Sequence, residues 1–351
     1  MPITDVMPVS DWRDLQCVLV KTKNYSDAEV AEVLMNGRKF KYAQSFKHLR
    51  GAVEFLFANL EMEKKRVVFP KYICGSVARA AARAGIKVEY CEVDAQGNLD
   101  PEELGKKHLE DCGAVFVAHA FGNPAQVGKI REICDSHKMF LVEDCAHSLD
   151  IQKTAGDFVL FHFGKRIANV HGGILISADA EFPKLKTAGH AESGEIFSLI
   201  LKSGLFRPIL NLYRSTKKIP EDMDEKSDKA FSVCAPASEG SKRLFMRRLK
   251  MYAGEKAEID KIYRAYFDKL PSHYRAVLNE PIKDFFNFPI LAPKDKNRDE
   301  ILGRLRVYGV FADRIWYNSA CGFAKRVLVL PVNRHMSEKD VEMICNLLKN
   351  V

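Results

Sequence analysis

An acid and a lysine stand at the ends of two apolar segments near the middle of the chain. Asp144 closes the run that begins at Met139, and Lys165 follows the run at residues 158–163. Short apolar runs closed by polar residues are typical of buried parallel strands, and ligands bind beyond the carboxyl ends of such strands. There a carboxylate can hold a pyridine nitrogen protonated, and an amine can form a Schiff base with an aldehyde. The pair therefore indicates a site for a pyridine aldehyde cofactor.

The same residues also have a structural explanation. Asp144 could cap a following helix, and Lys165 could be a solvated turn residue. Spacing alone leaves both explanations open. A third apolar run, at 174–176, follows Gly172 and Gly173 and predicts another strand of the same parallel sheet.

The motifs around this pair resemble the DegT-type (DegT/DnrJ/StrS) family of pyridoxal-phosphate-dependent sugar aminotransferases. Residues 143–147, Glu-Asp-Cys-Ala-His, fit the family pattern E-D-x-A-[QH] at a strand end. Lys165, with Gly172 and Gly173 seven and eight residues later, reproduces the family's spacing of a lysine and a glycine pair. Some members replace this lysine with histidine and perform dehydration, so Lys165 favours transamination.

The resemblance implies a role for each residue of this segment. Lys165 would be the catalytic residue, bound to the aldehyde of pyridoxal 5'-phosphate and then moving protons. Asp144 would lie against the pyridine nitrogen, and His147 would face the 3-hydroxyl of the cofactor. His162 takes a position near the phosphate where branches of the family carry a serine, and a core histidine is its alternative explanation.

A predicted helix at residues 45–60 offers a phosphate site. Its apolar residues recur at helical spacing, and its start carries Arg50 and Gly51. Free backbone N–H groups and a guanidinium can both face an anion at a helix start. Residues 49–53 match the family's S-G-T-x-A-L only loosely. Arg50 and Gly51 are therefore candidate phosphate ligands, with an ordinary surface residue as the alternative explanation for Arg50.

Two further residues near strand ends have a candidate role. Cys74 occupies the position where the family usually stacks an aromatic ring on the cofactor. A cysteine cannot stack, but it can pack against the ring face, which indicates a divergent branch. His119 lies near the end of another predicted strand, and a structural hydrogen-bonding role is favoured over that of a catalytic base.

The surrounding elements predict an α/β fold. Strands alternate with helices through residue 137, and this alternation indicates a right-handed wound sheet. The strands are expected at 67–69, 88–93 and 114–120. The helices are expected at 75–85, 98–109 and 126–137. The resemblance implies the aspartate-aminotransferase-like fold (fold type I), whose large domain has a mostly parallel seven-stranded sheet. That domain would cover residues 1–240, including an N-terminal segment at 1–40, and a small C-terminal α/β domain would cover 241–351.

The C-terminal part begins with a long predicted helix at residues 241–270. It has an apolar stripe and basic positions expected on its outer side, at Lys242, Arg243, Arg247 and Arg248. Further on, Arg314 and Trp316 are candidates to approach substrate, and an Arg–Trp packing pair is the alternative explanation.

A departure from the family lies at residues 195–230. Residues 196–213 of this segment are mostly apolar, with a few lysines and arginines. They could form a flap that packs on a partner subunit, a face that contacts lipid, or two short buried helices. The buried helices are the favoured interpretation. Residues 219–229 are predicted to form an exposed loop.

Composition is that of a soluble globular protein: 351 residues, 47% hydrophobic and 28% charged. The charge of +8 fits either an anionic partner or an ordinary solvated surface, and no basic block is interleaved with aromatics as nucleic-acid binding would need. Nine scattered cysteines predict neither a metal cluster nor a disulfide framework. Without an apparent signal peptide or membrane span, a cytoplasmic protein is expected.

Together these features predict a pyridoxal-phosphate-dependent aminotransferase. The expected reaction transfers an amino group, from glutamate as donor, to a keto sugar that is nucleotide-linked, and the family resemblance implies a homodimer. Two alternatives stay open. One is another reaction of the same cofactor, such as elimination or C–C bond formation, and the other is a non-enzymatic relative that kept the fold.

Overall fold

The computed structural model describes residues 10–20, 23–149, 154–165, 171–185, 189, 196–197, 199–200, 206, 209, 234–278, 287–316 and 321–350. Most of the predicted insertion at 195–230 therefore lies outside the described residues. Among the described residues, no helix has both the length and the apolar character needed to cross a membrane.

Seven strands form one sheet in the order β1-β7-β6-β5-β4-β2-β3. They are β1 Tyr42–Phe46, β2 Arg66–Pro70, β3 Lys87–Cys91, β4 Cys112–Ala118, β5 Phe140–Asp144, β6 Phe158–His162 and β7 Gly173–Ser177. The strands β2 to β6 are mutually parallel, which confirms the predicted mostly parallel seven-stranded sheet.

Strand β7 corrects one expectation, because it runs antiparallel to β6 and to β1. A parallel return needs a crossover of about a dozen residues or more. The link from His162 to Gly173 is shorter than that, so the chain turns back along the neighbouring strand instead.

Helices cover the sheet on both faces. In the first half of the chain they are α1 Trp12–Leu19, α2 Asp27–Met35, α3 Leu49–Asn59, α4 Gly75–Arg83, α5 Pro101–Gly105 and α6 Val127–Ser136. The predicted cap of α2 is present, since Ser26 and Glu29 form a reciprocal capping box. The helix expected from residue 45 starts only at Leu49, because Ser45 and Phe46 pair with β7. The helix expected at 98–109 shortens to α5, with Asp100 as its cap.

Alternate residues of the strands supply two hydrophobic layers. On β6, Phe158 and Leu160 pack on the side of α3, whereas Val159 and Phe161 pack with α2 and the start of the long C-terminal helix. This is the two-residue period of a sheet buried on both sides.

The long predicted helix is α7, Glu239–Lys269, but its basic residues are not on an outer face. Lys242, Arg243 and Arg248 are each at most 4% exposed. The N-terminal helix α1, which the sequence did not reveal, supplies partners for Arg243 and Arg248, whereas Lys242 pairs with Asp27 and Glu239. Arg243, for example, donates to the Cys17 and Val18 carbonyl oxygens at 3.1 and 3.0 Å, where α1 ends.

The remaining elements build a small three-stranded antiparallel sheet with its own helices. They are β8 Arg275–Ala276, β9 Phe288–Leu291, α8 Arg298–Val307, α9 Gly322–Arg326, β10 Val327–Leu330 and α10 Glu338–Lys349, with strand order β10-β9-β8. Ser337 and Asp340 form the predicted cap of α10. The hydrophobic core of the small sheet is continuous with that of the large sheet, through side chains such as Tyr72 and Trp316.

Gly173 permits a close approach of α3 to β7. A Cβ atom there would lie 2.6 Å from Leu49 Cδ1 and 2.7 Å from the Phe161 carbonyl oxygen. We therefore expect Gly173→Ala to lower the free energy of unfolding by about 1–3 kcal/mol through overpacking. Urea unfolding measures the change. Gly128→Ala on α6 is the control, since a Cβ atom at residue 128 meets nothing within 4 Å. A Gly173→Ala variant as stable as the parent would contradict this packing.

Candidate active site

A cavity of about 310 Å³ lies at the carboxyl ends of β5 and β6. This volume is at the lower end of the range for small-molecule sites, about 300–1,000 Å³. Five of the seven predicted site residues line it: Arg50, Cys74, Asp144, His162 and Lys165. Gly51 lies in the first turn of α3, and His147 lies behind the wall, beside Lys165.

Asp144 is the acidic residue of the cavity lining and is 3% exposed. The Ala146 N–H donates to its Oδ1 at 2.8 Å. Burial raises the pKa of Asp144, and the nearby Lys165 ammonium and the Ala146 N–H oppose that shift. A buried carboxylate of this kind is stabilised by a cation, and a protonated pyridine nitrogen supplies one.

His147 has protein partners at both ring nitrogens. Its Nδ1 accepts from the Phe121 backbone N–H at 3.2 Å, and its Nε2 lies 3.2 Å from Lys165 Nζ. The ring stacks on Trp316, with centroids 4.3 Å apart. The expected contact of His147 with a cofactor hydroxyl stays a prediction, and the structure adds these protein contacts, which resemblance to a linear motif could not reveal.

The pH dependence of folding should report on His147. Burial, together with Lys165 and His162, lowers its pKa well below the ordinary value. The unfolded chain, with a histidine pKa of about 6.5, therefore binds the proton more readily, and stability is lost as the pH falls below that value. The expected loss is at most about 1.4 kcal/mol per pH unit.

Urea unfolding of the cofactor-free protein between pH 7 and 5 measures this slope. His147→Gln should reduce it. The surface histidine His108, 74% exposed at its side chain, provides the matched control as His108→Gln. An unchanged slope in His147→Gln would contradict a neutral, buried imidazole.

The part of the cavity formed by α3, α4 and the β6 end suits an anion. Neither helix has a side-chain cap at its start. His162 Nδ1 accepts from the backbone N–H groups of Gly164 and Lys165, at 2.9 and 3.1 Å. A neutral His162 therefore carries its proton on Nε2, where it can donate. Together with Arg50, these donors fit a phosphate group.

The lining includes three residues that the sequence did not single out: His48, Ser76 and His171. His48 is the N-cap residue of α3, and its ring centroid lies 5.3 Å from that of His171. Ser76 Oγ lies 3.0 Å from Cys74 Sγ in the first turn of α4. Proximity to the start of a helix and to the glycine pair was the sequence signal that could have identified them.

His119, Glu143 and Cys145 cluster behind the cavity, with their potential ligand atoms within 4.8 Å of one another. His119 Nε2 lies 3.0 Å from Glu143 Oε2, and its Nδ1 accepts from the Ala125 N–H at 3.0 Å. Glu143 also accepts from the backbone N–H groups of Ala155 and Gly156. Hydrogen bonds thus engage both nitrogens of His119, which agrees with the favoured structural role.

Arg314 and Trp316 each contact other side chains of the structure. Arg314 donates to Asp299 Oδ2 at 2.9 Å, on the first turn of α8. Trp316 instead reaches the candidate site, where Lys165 Nζ lies 5.4 Å from the centroid of its ring. Tyr72 supports this segment by donating to the Ile315 carbonyl oxygen at 2.7 Å.

Comparison with known proteins identifies similar sequences and similar folds among aminotransferases. Residues 39–191 match the sequence model of the DegT/DnrJ/EryC1/StrS aminotransferase family. A UDP-4-amino-4,6-dideoxy-N-acetyl-beta-L-altrosamine transaminase of Campylobacter jejuni is 26% identical over 164 residues, which is 44% of each chain. The match thus spans less than half the length of that relative. A dTDP-4-amino-4,6-dideoxy-D-glucose transaminase of Shigella dysenteriae is 20% identical over 82% of this chain and 80% of its own length.

Solved structures share the fold over the whole chain. An aminotransferase of Helicobacter pylori involved in the biosynthesis of pseudoaminic acid superposes with a TM-score of 0.72 at 17% identity, covering 99% of both chains. An E. coli GDP-4-keto-6-deoxy-D-mannose-3-dehydratase with bound hydrated pyridoxal phosphate gives 0.70 at 16% identity, covering 99% of this chain and 100% of that one. Residues 39–191 are therefore similar to the DegT/DnrJ/EryC1/StrS aminotransferase family, and the chain has the fold of these solved structures.

Proposed function

We propose that this protein is a pyridoxal-phosphate-dependent aminotransferase that acts on a keto sugar. The observation that carries the proposal is the placement of Asp144 and Lys165 in the lining of one cavity. An acid and an amine far apart, or a lysine directed into solvent, would have left the resemblance without a site.

Each group of the cavity has a part in this proposal. Asp144 would hold the ring nitrogen of the cofactor, and Lys165 would hold its aldehyde carbon. Arg50, His162 and the starts of α3 and α4, including Gly51, would hold the phosphate. Cys74 would lie against the ring face. Bound there, pyridoxal phosphate would supply an electron sink and a carrier for the amino group.

Lys165 would also move the proton that transamination requires. Its Nζ can take a proton from the donor carbon and return it at the acceptor carbon. The buried Asp144 would keep the ring nitrogen protonated throughout, because an ionised carboxylate at this depth is stabilised by a cation.

A nucleotide-linked keto sugar is the proposed acceptor, and glutamate is the proposed donor. The support comes from relatives named as transaminases of UDP- and dTDP-linked amino sugars. The net charge of +8 agrees with an anionic substrate. We also propose a cytoplasmic homodimer with domains at residues 1–240 and 241–351, as the family resemblance implies.

An amino-transfer assay tests the proposal. Purified protein loaded with pyridoxal phosphate is incubated with glutamate and a panel of nucleotide-linked keto sugars, and 2-oxoglutarate is measured. Formation of an amino sugar together with 2-oxoglutarate supports transamination. Loss of the keto sugar without 2-oxoglutarate would favour elimination instead. A protein that forms no complex with pyridoxal phosphate would favour the non-enzymatic alternative.

A further inference from the structure

The N-terminal helix α1 turns its apolar side to solvent. Trp12, Leu15 and Leu19 recur at the helical spacing that normally faces a protein core. Yet Trp12 is 66% exposed, Leu19 is 52% exposed, and Leu15 is only partly buried. The acidic residue Asp14 of the same helix, in contrast, is buried. The usual polarity of a surface helix is thus reversed in α1.

Ion pairs hold α1 in this orientation. Asp14 accepts hydrogen bonds from Arg247 and Arg248 of α7. Asp11, the N-cap residue of α1, lies 3.3 Å from Arg248 and 3.5 Å from Arg334. A rotation that buried the apolar side would draw Asp14 away from the buried Arg248 and leave that charge without its main partner. The apolar side therefore faces outward because the arginines lie beneath the helix.

Two neighbouring segments add to the exposed apolar side of α1. Val18 of α1 packs in one hydrophobic cluster with residues of α2 and with Ile196 and Leu199. On these same segments, Val33 of α2 is 49% exposed and Phe197 is 62% exposed. Each segment thus covers the cluster with one side and presents an apolar side chain to solvent with the other. Together they form the outer apolar surface, which consists of Trp12, Leu15, Leu19, Val33 and Phe197. Exposed apolar groups gathered in this way mark a contact site for a protein or a membrane.

The size of the outer apolar surface favours a membrane over a protein partner. The eight residues of α1 make a helix only about 12 Å long, whereas a stable protein interface covers about 800 Å² on each partner. Attachment to a membrane surface needs less area, because a few apolar side chains act together with charge attraction. Tryptophan, here Trp12, is also the residue type enriched at the boundary between lipid headgroups and acyl chains.

The charge around α1 suits an anionic lipid surface. Among the described residues, the arginines on or in contact with this helix outnumber the acids paired with them: Arg13, Arg243, Arg247, Arg248 and Arg334, against Asp11, Asp14 and Glu255. In the sequence, residues 196–220, which include Phe197, contain five lysines and arginines and no acid. Each basic residue close to an anionic membrane adds to the attraction. The charge is thus complementary to lipid headgroups such as phosphatidylglycerol.

We propose that the outer apolar surface docks the protein on an anionic lipid bilayer. Trp12, Leu19 and Phe197 enter the boundary between headgroups and acyl chains, and the arginines around α1 attract the headgroups. The helix lies in the plane of the membrane surface, since its eight residues are far fewer than the about 20 that cross a bilayer. The ion pairs beneath α1 expose its apolar side before binding, so docking requires no rearrangement. This attachment goes beyond the proposed function and does not depend on it.

Vesicle flotation of the whole 351-residue chain tests the proposal. The vesicles contain either phosphatidylcholine alone or an equal mixture of phosphatidylcholine and phosphatidylglycerol. At low salt, binding to the anionic vesicles should exceed binding to the neutral ones about tenfold or more, and added salt should weaken it. The fluorescence emission of Trp12 should move to shorter wavelength on binding, because its indole leaves water. The other tryptophan, Trp316, is already buried.

Matched substitutions test the role of α1. Trp12→Glu should reduce binding to the anionic vesicles about tenfold or more, because it removes a large apolar side chain and adds a repelled charge. Tyr308→Glu is the control, since Tyr308 is 63% exposed at the end of α8, a helix that packs in the other large cluster. It should leave binding within about twofold of the wild type. Trp12→Phe keeps an aromatic ring, so binding should persist while the emission shift is lost. Circular dichroism shows whether each variant is folded.

Three results would overturn the proposal. One is a wild-type chain that floats with neither kind of vesicle at low salt, which is decisive even if the variants fold poorly. Another is a folded Trp12→Glu variant that binds anionic vesicles like the wild type, because adsorption would then depend on charge alone. The third is a wild-type dimer that ignores vesicles and that Trp12→Glu dissociates, since a second copy would then cover the surface. Because no cofactor or substrate is involved, none of these results depends on whether the protein is an aminotransferase.

Discussion

Lys165→Ala is expected to abolish both the visible absorption of the pyridoxal phosphate complex and amino transfer. The loss of proton transfer alone should lower turnover about 10²- to 10⁴-fold, and the loss of the covalent attachment adds to it. Lys165 is only partly buried, so the variant should fold. The spectrum after addition of pyridoxal phosphate and 2-oxoglutarate formation from glutamate provide the measurements.

Two controls accompany this variant. Lys165→Arg keeps the positive charge but replaces the amine with a guanidinium, so it should also lack the band. Lys106→Ala removes an exposed lysine, 68% exposed at its side chain, and should behave as wild type. A Lys165→Ala protein that keeps its absorption band and its turnover would refute the assignment of Lys165.

Asp14→Ala is expected to cause the largest loss of stability among the changes considered. The Asp14 side chain is 2% exposed and accepts from Arg247 and from Arg248, which is itself 4% exposed. Removing the acid leaves the buried Arg248 guanidinium without its main partner, although Asp11 still lies 3.3 Å away. Breaking a buried ion pair in this way costs about 3–5 kcal/mol. Urea unfolding gives the loss as a lower midpoint at an unchanged slope.

A compensated variant distinguishes charge burial from lost packing. In the double replacement Asp14→Leu with Arg248→Met, no unpaired charge remains at this pair, so most of the lost stability should return. Glu258→Ala breaks an exposed ion pair with Lys261 on the same helix and should cost less than about 1 kcal/mol. A loss for Asp14→Ala as small as that for Glu258→Ala would show that the pair is not effectively buried.

The sequence predicted the cavity best where neighbouring strands end. Asp144 and Lys165 could be assigned because each follows an apolar run, and parallel strands bring such ends to one edge. The start of α3, with Arg50, could be placed for a similar local reason. These predictions depended only on short segments, in which the spacing of apolar residues and the polar residues that end each run can be read directly from the sequence.

Predictions that depended on distant partners were less successful. The basic residues of α7 were placed on an outer face because α1, with Asp11 and Asp14, was not recognised as a helix. Likewise, the partners of His147 could not be predicted, since Trp316 lies far away in the sequence and adopts a backbone conformation that no local pattern indicates. Long-range packing, rather than local propensity, decides such contacts.

The reversed direction of β7 links the two ends of the candidate site. Gly173 pairs with Phe46 on one side and with His162 on the other. The strand that leads into α3, the candidate anion-binding helix, and the strand that leads into the lysine are thus separated by a single strand, about 10 Å in all. Because β1 and β6 both pair with β7, a small displacement of β7 would move the two strands together. The distance between the start of α3 and Lys165 should therefore change little when the sheet is slightly distorted.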